Sequence, residues 1–347
     1  MTAAPHGVVQ FLVPEGIDDP ALVSGGNVCD RHVRDGLSRI GWDVRMAEVD
    51  PDAASGAEAV LSRLPDGALV LVDGLVATGA PSAVEAAADR LRIVVLAHMV
   101  SAAFPDADPR DIDGERRSLR CARRVIATSE WTRSELARLR VVPSDRVDVA
   151  PPGSDHAPVA SGTETGGAFL CVGVVAPHKG QDLLVEALST LSGSDDWTCT
   201  IAGSLDARPD FADRLAARVA DTGLGDRITM AGVLTEAELD RAYGRTDLVV
   251  APSRTESYGM AIADALRRGI PVVASRVGGI PQTVADSRAA GLVPPDESAA
   301  LADALREWML DPGLRARMRA EARRARTRLP QWSDTADRVS RTLAGVR

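Results

Sequence analysis

The residues best suited to chemistry lie in one stretch, from Pro252 to Ala274. A short apolar run, Leu248 to Ala251, reads as a strand. A polar segment carrying Arg254, Glu256 and Ser257 follows, and the pattern then predicts a helix from near Tyr258 to Arg268. In that order the amides of Gly259 and Met260 stand at a helix N-terminus. Unpaired donors and the helix dipole there favour an anion such as a diphosphate. Gly259 lets the backbone approach that anion closely. Glu256 lies at the mouth of such a site, and Asp264 is about two turns further on, on a similar face. Carboxylates repel phosphate but accept hydrogen bonds from hydroxyl groups. The pair therefore suits a sugar and a ribose flanking a diphosphate.

A second stretch, Gly173-Val174-Val175-Ala176-Pro177-His178-Lys179-Gly180, follows the apolar run Ala168 to Val172. Of the 40 cationic residues 39 are arginine, and Lys179 is the single lysine. A lysine kept in so arginine-biased a chain marks a place for a compact ammonium, where the larger guanidinium fork does not fit. Chance is the competing reading, since one lysine must fall somewhere. Ser24-Gly25-Gly26-Asn27 opens the first expected helix, another place where main-chain N–H groups can meet a phosphate. His98 follows the fourth expected strand, at its carboxyl end; a solitary histidine is otherwise a satisfied structural residue.

The elements that must position these residues alternate regularly. Strands are expected at Val8–Val13, Asp43–Ala47, Ala68–Val72, Ile93–Ala97, Val125–Thr128 and Val147–Ala150, with helical stretches between them. Val28 to Ile40 has helical spacing, and Ser129 is expected to cap a helix near Glu130, with Thr132 and Ser134 as rivals. Pro151 to Gly167 has linker composition and is read as a hinge. Beyond it the alternation resumes, with strands at Ala168–Val172, Thr198–Ala202, Arg227–Ala231, Leu248–Ala251 and Pro271–Ala274. Strands spaced by helices imply parallel sheets with right-handed crossovers, and ligands beyond the carboxyl ends of the strands. The expected organisation is residues 1–157 as an acceptor-side Rossmann-like domain, 158–329 as a donor-binding Rossmann-like domain, and 330–347 as an amphipathic helix.

Glu256 to Ala274 resembles the E-x7-E motif of retaining GT-B glycosyltransferases of family 4, with Asp264 where the family usually has Glu. The likeness continues through Gly269-Ile-Pro271-Val-Val-Ala and Gly278-Gly279-Ile280-Pro281. The Gly173 to Gly180 segment is similar to the family's diphosphate-binding segment, with Val174 where many members carry arginine. His178 and Arg254 are the candidates to replace that cation. Ser24 to Asn27 resembles the family's N-terminal glycine loop, His98 stands where the family places a histidine near the anomeric carbon, and Met230 to Leu234, with Gly232 and Val233, resembles the segment that receives the base. The resemblance implies an α/β GT-B fold of two facing doubly wound domains with an interdomain cleft. It implies a C-terminal helix that crosses back to the N-terminal domain, with packing on its own domain as the alternative. It further implies a nucleotide-sugar donor and retention by front-face attack, with the departing phosphate taking the acceptor's proton and no essential metal or other cofactor. Glu256, Lys179 and His98 take the catalytic roles. Gly25, Gly26, Gly173, His178, Gly232, Val233, Ser257, Tyr258, Gly259, Met260 and Asp264 take the donor.

Bulk properties agree with such an enzyme. A net charge of -9 argues against nucleic acid, whose binding is driven by counterion release to cationic surfaces. Arg116 to Arg124 and Arg315 to Arg328 are two basic clusters, read as solvated helix faces, with peripheral membrane contact as the alternative. Cys29, Cys121, Cys171 and Cys199 form no metal-binding or redox pattern and read as free buried thiols in the cytoplasm. The acceptor, a small metabolite, natural product or lipid, is left open by the loops Pro14–Pro20, Asp73–Ala80 and Met99–Asp113. A non-catalytic sugar-nucleotide sensor on the same scaffold is the alternative function. An oxidoreductase is disfavoured, because no GxGxxG follows the first strand.

Overall fold

The computed structural model describes residues 7–20, 22–191, 196–285 and 287–346. Its chain alternates strand and helix almost throughout. In the first half these are β1 (Gly7–Pro14), α1 (Gly25–Arg39), β2 (Trp42–Val49), α2 (Ala54–Arg63), β3 (Leu69–Asp73), α3 (Gly74–Gly79), α4 (Pro81–Ala87), β4 (Arg92–Ala97), α5 (Pro109–Cys121), β5 (Arg124–Ala127), α6 (Glu130–Arg138) and β6 (Val147–Val149). The second half holds β7 (Ala168–Val172), α7 (Gln181–Ser189), β8 (Thr198–Ala202), α8 (Pro209–Asp221), β9 (Ile228–Gly232), α9 (Glu236–Gly244), β10 (Leu248–Ala251), α10 (Met260–Arg267), β11 (Val272–Ser275), α11 (Ile280–Val284), β12 (Ala290–Val293), α12 (Ser298–Leu310) and α13 (Pro312–Ala325). A last helix, α14 (Trp332–Gly345), closes the sequence.

Packing divides the chain into two units, one running to Gly153 and resuming at Pro330, the other Ser154–Leu329. Unit 1 is built on a parallel sheet of order β2-β1-β3-β4-β5-β6, and unit 2 on a parallel sheet of order β12-β11-β10-β7-β8-β9. Parallel strands covered on both faces read as continuous apolar runs, and β3 is buried along its whole length. In each sheet the chain leaves an inner strand in opposite directions, at β1/β3 in unit 1 and β7/β10 in unit 2. Such switch points splay the following loops apart and open a crevice at the carboxyl ends.

Helix starts are set locally. Ser24 Oγ accepts from the Asn27 amide at 3.0 Å to cap α1, and Ser129 Oγ accepts from the Thr132 amide at 3.0 Å to cap α6. Helix α14 packs in unit 1 against α1. The Trp332 ring stacks on His32 at 4.0 Å between centroids, and Trp42 Nε1 donates to Ser340 Oγ at 2.8 Å. The terminal helix thus returns to the N-terminal sheet.

Four expectations are corrected by the structure. The hinge-like composition from Ser154 to Gly167 belongs to a strap bound to unit 2. Thr163 and Ala168 amides donate to the buried Asp247 carboxylate at 2.9 and 3.0 Å, and the Ala160 amide to Arg268 O at 2.9 Å. Small polar residues suit a strap as well as a linker, because both need close backbone contacts. The basic clusters are solvated faces only in part: Arg120, Arg123, Arg317, Arg323, Arg324 and Arg328 are exposed, whereas Arg124 pairs with Asp148, Arg319 pairs with the buried Asp247, and Arg326 donates to the Arg267 and Ala157 carbonyls. Cys121 is only partly buried, whereas Cys29, Cys171 and Cys199 are buried, and all four are free. Helix α10 starts at Met260 rather than Tyr258, because Gly259 takes a left-handed conformation (φ 94°). Among the described residues, no helix is long and apolar enough to cross a membrane.

Candidate functional site

The switch point of unit 2 gathers most of the predicted residues. Beyond β7 the chain passes Gly173 and turns through Pro177–Lys179, and beyond β10 it runs through Glu256 to Gly259. The two loops are laced together: the Arg254 and Thr255 amides donate to His178 O at 2.7 and 3.3 Å. The Lys179 stem lies over Gly173, and its Nζ meets Glu256 Oε2 at 2.6 Å. Both side chains keep partial solvent access, 22% and 17%. An ammonium and a carboxylate are thus held side by side next to the first turn of α10, whose leading amides have no partner within the helix. A partly open cation beside helix amides suits an anion, and the neighbouring carboxylate suits a hydroxyl-rich group.

Ser257 and Tyr258 are buried between this loop and α11. Gly278 and Gly279 explain how. A Cβ on Gly278 would sit 1.8 Å from Glu256 O, and one on Gly279 would sit 2.1 Å from Ser257 O. The Gly279 amide donates to Glu256 O at 2.9 Å, and Thr283 Oγ1 donates to Tyr258 O. These three residues hold the Glu256 backbone in place. Buried Gln181 steadies the lysine loop from within, donating to Val174 O at 2.9 Å.

Asp264 lies on α10, partly open. Burial pushes its carboxyl up to about 6; the Arg268 charge opposes this, and Asp155 adds to it. Gly232 ends β9 and Val233 follows it, and the Gly203 amide donates to Gly232 O at 2.8 Å, so they lie at the carboxyl end of the same sheet. Arg254 cannot replace the cation absent at Val174. Its guanidinium is committed to Asp182 at 2.8 Å through two nitrogens, to Asp296 at 2.5 Å and to Pro177 O at 2.6 Å. It braces the loop that carries Lys179.

Unit 1 presents a second group at its own switch point. Gly25 and Gly26 form the first turn of α1, and a Cβ on Gly26 would lie 3.5 Å from the His98 ring. His98 Nε2 meets Asp30 Oδ1 at 2.9 Å and Asp73 Oδ2 at 3.1 Å. Asp30 and Asp73 are fully buried, Asp73 Oδ1 caps α3 through the Leu75 and Val76 amides, and Asp30 Oδ2 has no partner. Burial opposes charge on His98, but the Asp30 charge and the ring's hydrogen bonds with Asp30, Asp73 and Cys29 raise its pKa well above the usual histidine range. Burial also pushes Asp30 upward, against the pull of the His98 charge. Among the described residues this is the one histidine–carboxylate group whose ligand-type atoms all lie within 4.8 Å. One nitrogen facing two carboxylates is the arrangement of a shared proton. Sequence reasoning missed Asp30 and Asp73. The available signals were the i, i+4 spacing of Gly26 and Asp30 on α1 and an acid closing an otherwise apolar strand.

Comparison with known proteins decides the family. Residues 158–325 match "Glycosyl transferases group 1", and residues 24–157 match "Glycosyltransferase Family 4". The chain belongs to the group 1 glycosyltransferases. It is similar to the D-inositol 3-phosphate glycosyltransferase of Pseudarthrobacter chlorophenolicus, 34% identical over 67% of this chain and 58% of that protein. It is also similar to the alpha-D-kanosaminyltransferase of Streptomyces kanamyceticus, 31% identical over 62% of this chain and 58% of that protein. These alignments span somewhat more than half of the relatives' length. The fold is that of GT-B enzymes. The sucrose-phosphate synthase of Thermosynechococcus elongatus superposes with a TM-score of 0.81 at 21% identity, covering 97% of this chain and 98% of that one. Anabaena HepE in complex with UDP-glucose superposes at 0.79 with 18% identity, covering 97% and 99%.

Proposed function

We propose that the protein transfers a sugar, with retention at the anomeric carbon, from a nucleotide-diphosphate sugar to a hydroxyl acceptor. The observation that carries this reading is the Lys179–Glu256 contact of 2.6 Å at the β7/β10 switch point, beside the first turn of α10. Lys179 and the amides of Gly259 and Met260 take the diphosphate, whose negative charge grows as the glycosidic bond breaks. Preorganised donors at developing charge stabilise a transition state more than a ground state. Glu256 accepts hydrogen bonds from the transferred sugar, and Asp264 from the ribose. Gly232 and Val233 take the base through main-chain groups, and Gly173, His178, Ser257 and Tyr258 shape the donor loop. In unit 1, Gly25, Gly26 and His98 serve the transferred sugar. The departing phosphate receives the acceptor's proton, so no protein base is assigned. The charge on the leaving group is met by an ammonium and amides, so the reaction is expected to survive exhaustive chelation.

UDP-sugars are the first donors to test, because HepE is described with UDP-glucose. The decisive experiment is a panel of nucleotide sugars read by calorimetry and by slow donor hydrolysis, repeated with Lys179→Ala and Glu256→Gln. One donor should bind and turn over, and each variant should lose at least about a hundredfold in turnover while folding normally. A folded protein that binds no nucleotide sugar would falsify the reading. Tight binding without turnover across many acceptors would make it a sugar-nucleotide sensor instead.

A further inference from the structure

We propose that Asp30 and Asp73 are positioning residues for His98, two buried carboxylates that receive its Nε2–H and hold the ring as a hydrogen-bond donor unable to act as a proton acceptor. The proposal rests on the assignment of His98 to the transfer reaction. Its structural half stands without that assignment.

The geometry carries the argument. The Nε2 atom lies 2.9 Å from Asp30 Oδ1 and 3.1 Å from Asp73 Oδ2. A nitrogen lone pair turned toward two carboxylates would repel both, so Nε2 carries a proton. The three residues come from three elements: Asp30 from α1, Asp73 from the end of β3, and His98 from the residue after β4. Asp73 is fixed independently of the ring, because its other oxygen caps α3, while Asp30 is fully buried on α1 and its other oxygen has no hydrogen-bond partner. Direction and tautomer of the imidazole are therefore set before any ligand arrives. The remaining titratable group against the ring is the buried Cys29 thiol, itself raised by burial.

Charge then decides the state of the second nitrogen. Two buried carboxylates beside one ring favour the imidazolium, in line with the upward shift of His98. An imidazolium donates hydrogen bonds to sugar oxygens and has no lone pair for the acceptor's proton. Catalysis should therefore need His98 protonated. Activity should be flat through neutrality and fall on the alkaline side, where a histidine base would instead lose activity below its pKa.

The test has two arms. In the first, 15N-labelled histidine is titrated by NMR in the whole protein without ligand, and His98 is assigned from the spectrum of His98→Gln. The His98 signal should remain that of an imidazolium to beyond pH 8, and Asp30→Asn and Asp73→Asn should each bring its midpoint down by about one pH unit or more. A wild-type midpoint near that of an exposed histidine overturns the proposal, and that measurement needs no variant to fold. In the second arm, turnover of the same variants is followed against pH. Each should lose about ten- to a hundredfold at pH 8 and recover most of it near pH 6, where the ring regains its proton. An equal loss at both pH values, or no loss, overturns the proposal. If the protein transfers no sugar at all, the functional reading falls while the NMR arm still decides the state of His98.

Discussion

Asp264 sits one turn into α10, and its carboxyl is pushed up to about 6, by burial first, with the Arg268 charge in opposition. As a ribose acceptor it works only when ionised, because a protonated carboxyl competes with the hydroxyl to donate. The sign follows directly. Above about pH 6 the carboxylate is present and donor binding is flat; below it binding weakens as protons compete. Calorimetric titration of the nucleotide should show about a tenfold loss of affinity by pH 5, one unit below the midpoint. Asp264→Asn should bind more weakly at pH 7 and show no such step, so a step that survives in the variant would assign the titration elsewhere. Arg254 illustrates the opposite case. Its charge looked available from sequence, yet four contacts consume it. Charge inferred from residue type says nothing of the partners that neutralise it.

Element packing places Glu256 more firmly than its own loop does, because α11 begins against that loop's backbone. Gly278 has φ 54°, and an added Cβ would lie 1.8 Å from Glu256 O, a main-chain atom that cannot swing aside. Gly278→Ala should therefore displace the loop, lowering turnover at least about tenfold and stability by about 1–3 kcal/mol. Gly225→Ala is the control: nothing lies within 4 Å of its added Cβ, and both properties should stay near wild type. Activity assays and urea unfolding of the pair check this. The alternation of strand and helix was legible because buried parallel strands are continuous apolar runs. The expected spans Thr198–Ala202 and Leu248–Ala251 coincide with β8 and β10. Strand β12, Ala290–Val293, escaped notice, since four small or aliphatic residues carry no period of their own. Lys179, Glu256, Gly26 and His98 were legible as residues with a chemistry and a register. Asp30, Asp73, Gln181 and Thr283 were not. Their importance lies in contacts between elements distant in sequence, which no local pattern encodes.

At the scale of the whole molecule the chain leaves unit 1 at Gly153 and returns to it at Pro330, so unit 1 is closed by its last helix. Along α14, Trp332 stacks on His32, Ser340 accepts from Trp42 Nε1, and Thr335 Oγ1 donates to Pro151 O at 2.7 Å. Gly36 on α1 admits the close passage of α14: a Cβ there would come 2.5 Å from the Ala336 Cβ. The first and last segments therefore share one core face, and α1, which carries Gly25, Gly26 and Asp30, leans on residues three hundred positions away, His32 on Trp332 and Gly36 on Ala336. Trp332 is 7% exposed, so Trp332→Ala removes a large buried ring and should cost unit 1 about 3–5 kcal/mol. Hydrogen exchange read by mass spectrometry separates this from a general loss of stability. Amide protection should fall in α1, β2 and α14, while β7, β8 and β10 keep theirs, because the ring stack joins two helices of unit 1. Equal loss across both sheets would mean that α14 supports more of the molecule than the unit it packs in.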